Sequence, residues 1–147
     1  MKKIITLAVV AAAFVTRAFA SSGTTVDEKI ASRFNATHKG VSNVTWTVTD
    51  DYSEAQFTWN GINTASFYDT DGDLIATSQE IKAEDLPAGS LASLSIKYKG
   101  YALTEAVRVE KPYSDTPSYY VSMVNAKRRV VLEVRGGVWM RETAVTY

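Results

Sequence analysis

The chain of 147 residues contains no cysteine and a single histidine, His38. The lack of cysteine excludes disulfide bonds, a thiol nucleophile, a cysteine-ligated zinc site and a lipid-modified N-terminal cysteine. One histidine excludes any metal site that needs two imidazole ligands. Positive charge is not in surplus, since 16 Lys and Arg residues balance 16 Asp and Glu residues, so the electrostatic footprint of a nucleic-acid-binding protein is missing. The length fits one domain, or two small repeats that share one core.

Long apolar runs are also scarce, and the one that stands out lies at the N-terminus. Ile4 to Val15 are uncharged and apolar, they follow Lys2 and Lys3, and Ala18-Phe19-Ala20 supplies the small residues of a cleavage site. The run is shorter than the roughly 20 residues that a helix needs to cross a membrane. The pattern therefore predicts a secretory signal peptide over residues 1–20, cleaved after its last residue. We expect an exported protein, periplasmic or secreted, with no membrane span in the mature chain.

Removal of this segment changes the charge of the chain. The remaining residues include 13 basic and 16 acidic side chains, a net charge of −3. Residues 21–80 carry a net charge of −6, whereas residues 81–147 carry +3. The mature chain is thus polarised along its length, which favours a partner of complementary polarity.

The first half has the pattern of one helix and four strands. An apolar side chain at every fourth residue, with capping-box spacing before it and a glycine after it, predicts a helix over residues 25–38. Alternation of apolar and polar side chains then predicts four strands between residues 44 and 78. Asn60-Gly61 and Asp71-Gly72 are hairpin turn signals between these strands.

The second half shows the same order, a helix followed by four strands. The helix is predicted at residues 89–98, and the strands at about 101–110, 118–125, 128–135 and 138–145. The halves align at an offset of 60 residues and, beyond the first strand, of 64. We therefore predict an α+β fold of two tandem repeats, about residues 24–80 and 86–147, each with one helix and a four-stranded antiparallel meander. The helices pack on one face of a single sheet, or of two sheets joined edge to edge.

The pattern leaves open which strand face is exposed in residues 62–78 and 128–142. Ala65 and Phe67 have the inward, apolar pattern in the first half, but the apolar Val130 and Leu132 of the second half align with Ser66 and Tyr68. Either the alignment slips by one residue, which exchanges the two faces, or both faces are partly covered.

The chain resembles a known family of secreted proteins. The residues that carry the resemblance lie mainly between positions 34 and 101: Phe34, Val44-Thr45-Trp46, Ala55-Gln56-Phe57, Tyr68-Asp69, Gly72, Ile81, Leu86-Pro87 and Tyr98-Lys99-Gly100-Tyr101. They are similar to those of the PepSY-like, β-lactamase-inhibitor-like (BLIP-like) proteins secreted mainly by Bacteroidetes. The resemblance covers residues 21–147 and implies an α+β fold of two helix-and-sheet repeats whose sheet presents an open face. Inhibition of a β-lactamase does not follow, because a shared fold does not fix function.

Aromatic and arginine side chains on a sheet face are the usual anchors of a protein interface. On this basis we predict a binding face formed by Tyr68, Tyr120, Arg129, Trp139 and Arg141. The competing interpretation is incidental exposure of single aromatic residues, which is common on protein surfaces.

Two other segments have the residue types of a chemical site. Asp69, Asp71 and Asp73 could bind calcium, which prefers oxygen ligands, but glycine comes at the fourth position rather than the sixth position of an EF-hand loop. The alternative is a plain hairpin turn, in which Asp and Gly are favoured. His38 could act as a general base of a hydrolase, or it could simply lie against the carbonyl groups at a helix end.

A basic run at Lys127-Arg128-Arg129 could bind an anion, or it could form a solvated hairpin tip that discourages edge pairing. Taken together, the residues and the resemblance favour a non-enzymatic binding module that is exported and holds another protein, as an inhibitor would, through an open sheet face. The alternative function is an envelope sensor for a small ligand or calcium at residues 69–73. We expect no cofactor and no nucleic acid.

Overall fold

The computed structural model describes the backbone of residues 25–135 and 139–146, and side chains from residue 25 to residue 134. The predicted signal peptide lies outside these residues. In chain order the elements are helix α1 (Glu28–Thr37), strands β1 (Thr45–Val48), β2 (Tyr52–Trp59), β3 (Ile62–Asp69) and β4 (Leu74–Glu80), a 3-10 turn (Ala83–Asp85), helix α2 (Ser90–Lys97), and strands β5 (Ala102–Glu110), β6 (Ser118–Val124), β7 (Arg129–Arg135) and β8 (Trp139–Thr146).

All eight strands form one antiparallel sheet in the order β1 to β8. The predicted α+β class is confirmed. The prediction of a four-stranded meander in each repeat is corrected to one continuous eight-stranded meander, because β4 pairs directly with β5, from Thr77 opposite Glu110 to Glu80 opposite Val107. The order of a helix followed by four strands occurs twice along the chain. That the two halves are copies of one repeat stays a prediction.

Helix α1 starts later than the sequence predicts. Its N-cap is Asp27, whose side-chain oxygen accepts a hydrogen bond from the backbone N–H of Lys29 at 2.8 Å. A carboxylate in this position satisfies one of the free N–H groups of the first turn and complements the positive end of the helix. The helix ends at Thr37, and its two buried side chains, Ile30 and Phe34, are one turn apart on the face that meets the sheet.

Helix α2 buries only some of its apolar side chains. Leu94 faces the sheet and is 2% exposed, whereas Leu91, three residues earlier, is 43% exposed. The buried partner of Leu94 in the first turn is Ser90, whose hydroxyl donates to the carbonyl of Pro87. Residues four positions apart lie on the same face of a helix, so Ser90 and Leu94 face the core together and Leu91 points away from it.

Both helices pack on the same face of the sheet, each over its own half. Under α1 the buried residues of β2 and β3 are Ala55, Phe57 and Tyr68. Under α2 they are Ala106 on β5, Val121 and Met123 on β6, and Val130, Leu132 and Val134 on β7. The register places half-buried Thr77, Gln79 and Arg108 on this face between the two clusters. Each helix therefore stabilises a separate core.

Candidate functional site

A third buried cluster lies on the opposite side of the sheet, which we call the helix-free face. Its buried members are Ala65, Phe67, Ala76, Val107, Val109, Tyr120 and Val131, with Tyr52 and Ile75 packed against them. Every member comes from a strand, and neither α1 nor α2 contributes a side chain within the described part of the chain. The face runs from β2 to β7, and its seven buried members are at most 4% exposed although neither described helix lies over them.

Large aromatic rings frame this face and small side chains lie at its centre. Phe67 and Tyr52 are neighbours, with ring centroids 6.0 Å apart, and Tyr120 lies three strands away on β6, only 2% exposed. Between them, Ala65 is opposite Ser78 and Phe67 is opposite Ala76. The small side chains make a floor between the rings.

A carboxyl group is buried on the same face. Glu54 is opposite Phe67 on β3 and Thr47 on β1, and it is 3% exposed. The amide of Gln56 donates a 2.8 Å hydrogen bond to one of its carboxylate oxygens. Burial raises the pKa of Glu54 above its ordinary value, and this hydrogen bond lowers it only in part. The charged form is therefore disfavoured in this position.

A hydroxyl group near the centre of the face has no partner. Ser78 is fully buried, and its Oγ makes no hydrogen bond within the described residues. Buried polar groups in native proteins are almost always hydrogen-bonded, and an orphan group calls for an explanation. Glu54 and Ser78 were both missed by the sequence prediction, since a single Glu or Ser in an alternating strand has the pattern of a solvated position.

The structure separates two residues that were predicted to share a binding face. Tyr120 is on the helix-free face, but Tyr68 is on the opposite face, where it packs beside Trp46 under α1. Successive residues of a strand point to opposite sides, so Tyr68 cannot share the side of Phe67. Burial raises the pKa of the Tyr68 hydroxyl. Tyr68 is therefore a core residue, and its assignment to the binding face is corrected.

The other predicted binding residues lie on the last two strands. Arg129 starts β7 opposite Val124, is half-buried, and precedes Val131 of the helix-free face by two residues. On β8, the backbone of Trp139 pairs with that of Arg135 on β7, and the backbone of Arg141 pairs with that of Glu133 on β7. The side chains of Trp139 and Arg141 lie outside the described residues, so their part in binding stays a prediction.

His38 lies in an aromatic cluster at the end of α1. Its ring stacks on Phe34 at 4.6 Å and meets the rings of Phe57 at 4.8 Å and Trp59 at 5.5 Å. Its Nδ1 is 2.9 Å from the hydroxyl of Thr37, which also donates to the carbonyl of Phe34. Such surroundings suit a packed ring at a helix end, and they do not support the interpretation of His38 as a hydrolytic base.

The acidic segment at residues 69–73 is a hairpin turn fixed by its own carboxylate. Oδ1 of Asp69 accepts hydrogen bonds from the backbone N–H groups of Asp71 at 3.0 Å and Asp73 at 2.8 Å. Gly72 has a φ of 81°, the left-handed conformation that glycine adopts without strain. The alternative of a plain turn is confirmed, as expected for Asp and Gly in these positions.

Two basic side chains of helix α1 hold this turn in place. Nζ of Lys29 donates to the carbonyl of Asp71 at 2.7 Å, and Arg33 donates to the carbonyl of Gly72 at 2.7 Å and pairs with the carboxylate of Asp73. The Arg33 guanidinium lowers the pKa of Asp73. Among the described residues no three acidic or histidine side chains are grouped to hold a metal ion, so the calcium interpretation of residues 69–73 is not supported.

We expect Asp69→Ala to lower the free energy of unfolding by about 1 kcal/mol, because two backbone N–H groups lose their acceptor. Calcium at millimolar concentration should leave the melting temperature of the wild-type protein unchanged, since a ligand that binds the folded state must raise it. Differential scanning calorimetry with and without a chelator measures both. Asp115→Ala, in another exposed loop, is the control. A rise in melting temperature with calcium that Asp69→Ala abolishes would restore the metal site.

The basic run is likewise part of a hairpin. The side-chain oxygen of Asn125 accepts from the N–H groups of Lys127 and Arg128 at 2.8 and 2.9 Å. Nε of Arg128 donates to the hydroxyl of Tyr101 at 2.6 Å, which connects the hairpin to the start of β5. These contacts favour the structural interpretation of the run over an anion site.

Comparison with solved structures identifies the fold. A BLIP-like protein from Bacteroides fragilis is 16% identical with a TM-score of 0.64, covering 82% of this chain and 86% of that one. A protein from Bacteroides eggerthii, provisionally named as periplasmic, is 11% identical with a TM-score of 0.72 over 82% and 89% of the two chains. This chain has their fold. The predicted resemblance to BLIP-like proteins is thus confirmed at the level of the fold.

A DUF2874 family protein from Bacteroides uniformis has the same architecture, with 14% identity, a TM-score of 0.69 and coverage of 80% of this chain and 90% of that chain. No protein-family model and no curated protein matches the sequence. The link to PepSY-like proteins stays a prediction. Neither helix of the described region is long and apolar enough to cross a bilayer.

Proposed function

We propose that this protein is an exported, non-enzymatic binding module that holds a partner protein against the helix-free face of its sheet. One observation carries the proposal: an apolar face spans β2 to β7 without a helix from the described residues over it. An antiparallel sheet that faces water on one side normally has polar side chains there. Here that side has Phe67, Val109 and Tyr120, so it has the composition of a covered surface.

The fold and the predicted leader agree with this function. A BLIP-like protein and a protein provisionally named as periplasmic share the architecture, and residues 1–20 have the pattern of a signal peptide. Function must still be argued from the site rather than from the fold. The site supplies aromatic and aliphatic side chains, which suit a protein partner better than a small charged metabolite.

Site-specific photo-cross-linking tests the proposal. Ser118 pairs with Val109 at the rim of the helix-free face, and Ser95 lies exposed on α2 at the other side of the sheet. A photoreactive amino acid at Ser118 should trap one protein of defined mass in the envelope of the source cells, whereas the same residue at Ser95 should not. Equal products from both positions, or no product from Ser118, would contradict the assignment of the face.

A further inference from the structure

We propose that a groove beside helix α2 binds a small carboxylic acid with an apolar tail, whose carboxylate is bound by Lys99 and Tyr101. The groove lies on the helix side of the sheet, so this site is separate from the helix-free face and does not depend on the proposed function. Its volume is about 310 Å³, at the lower end of the range for ligand pockets in proteins. Its apolar and aromatic lining consists of Leu91, Leu94, Tyr98, Tyr101, Leu103 and Met123.

The second half of the chain has smaller side chains around this groove than the first half has at the matching place. At the offsets of 60 and 64 residues, Leu94 and Met123 align with Phe34 and Trp59. At the end of α1, the ring of His38 stacks on Phe34 at 4.6 Å and meets the ring of Trp59 at 5.5 Å, so aromatic side chains fill that place. Leucine and methionine lack these rings, which leaves room for a ligand beside α2.

A shift in strand pairing gives the groove one of its apolar walls. Leu103 on β5 lies opposite Met123 on β6, and the register shifts between Leu103 and Glu105. Ala106 faces α2, so strict alternation along β5 would place Thr104 on that side. The shift, which is typical of a β-bulge, brings Leu103 to the core under α2 instead. The tail of a ligand in the groove therefore meets an aliphatic side chain rather than a hydroxyl.

The polar groups of the groove are a cation and a hydroxyl. Lys99 is exposed and forms no ion pair within the described residues. Nε of Arg128 donates to the Tyr101 hydroxyl at 2.6 Å, and the guanidinium carbon lies 5.9 Å from the centroid of that ring. The hydroxyl accepts this bond and donates none to the described residues, so its proton is available to a ligand oxygen. A hydrogen bond received from a cation also makes the hydroxyl a stronger donor.

The charges around the groove select an anion. No acidic side chain of the described residues lines it. Glu105 and Glu133 are next to Ala106 and Leu132, which face α2, so both acids lie on the opposite side of the sheet. A lysine and an available O–H donor bind a carboxylate by charge-assisted hydrogen bonds. The apolar walls take the tail, and a neutral ligand of the same shape would gain little from Lys99.

Nuclear magnetic resonance titration of the purified exported protein tests this site. Octanoate and 3-phenylpropanoate should shift the methyl signals of Leu91, Leu103 and Met123 in a saturable way. Octanamide keeps the tail of octanoate but lacks its charge, and it should bind about tenfold more weakly. Lys99→Met should weaken octanoate binding about threefold, as expected for an exposed ion pair. Tyr101→Phe should weaken it about tenfold, as expected for a lost hydrogen bond to a charged group.

Lys39→Met is the matched control, because Lys39 follows the end of α1 as Lys99 follows the end of α2, and both are exposed. It should bind octanoate as the wild type does, and the amide spectra of all variants show whether they are folded. Four results would overturn the inference: no saturable shift with either acid, shifts centred outside the groove, equal affinity for octanoate and octanamide, or the same affinity in Lys99→Met as in Lys39→Met.

Discussion

Phe34→Ala should lower the free energy of unfolding by about 3–5 kcal/mol, the range for removing a buried aromatic side chain. The ring is fully buried at the centre of the core under α1. It stacks on His38 at 4.6 Å and packs edge-on against Phe57 at 5.0 Å and Trp46 at 5.4 Å. Alanine leaves a cavity that these rings cannot fill together, because they are attached to separate strands and to the end of the helix.

Urea unfolding followed by tryptophan fluorescence measures this effect, since Trp46 and Trp59 belong to the same core. The control is Tyr113→Ala, which removes an aromatic ring of similar size that is 99% exposed in the loop between β5 and β6. The control should change stability by less than about 0.5 kcal/mol. A loss below about 1 kcal/mol for Phe34→Ala would show that α1 does not form the core described here.

Local patterns in the sequence were sufficient to predict the elements and the class of the fold. The stripe through Ile30 and Phe34 marked α1, and Asp71-Gly72 marked the hairpin between β3 and β4. The start of α1 was misplaced because two residues compete as caps. Thr25 has the capping-box spacing, but it is Asp27 that accepts from Lys29. Such a choice depends on where the preceding chain lies, which local spacing does not encode.

The binding face was harder to predict, because β3 is buried on both sides. Five consecutive residues from Thr64 to Tyr68 are buried, so the usual alternation of apolar and polar side chains is lost. The alignment of the two halves contained the information about which faces of the strands are buried. Ser66 and Tyr68 face α1, and their counterparts 64 residues later, Val130 and Leu132, face α2. Both faces are buried, which was one of the two alternatives.

The sequence pattern could not predict contacts between residues that are far apart in the chain. Arg33 and Asp73 are separated by 40 positions, and only the packing of α1 over the first hairpin brings them together. This contact favours the interpretation of the acidic segment as a turn, since the helix engages the carboxylate of Asp73. The burial of Glu54 likewise depends on the neighbouring strands. From the sequence alone, a glutamate beside an alanine in a strand is expected on the face exposed to solvent.

The separation of the two cores makes the last prediction specific to α2. Leu94→Ala should lower the free energy of unfolding by about 2–5 kcal/mol, because Leu94 is 2% exposed in the cluster with Val121 and Leu132. Leu91→Ala makes the same chemical change on the same helix at a side chain that is 43% exposed. It should cost less than half as much, since little apolar area returns to water.

A double substitution tests whether the two helices are energetically independent. The clusters under α1 and α2 share no residue, and polar positions on β4 and β5 lie between them. Substitutions without shared contacts add within about 0.5 kcal/mol. Ile30→Val combined with Leu94→Ala should therefore destabilise by the sum of the single effects in urea unfolding. A coupling energy above about 1 kcal/mol would mean that the helices stabilise one continuous core rather than one half of the sheet each.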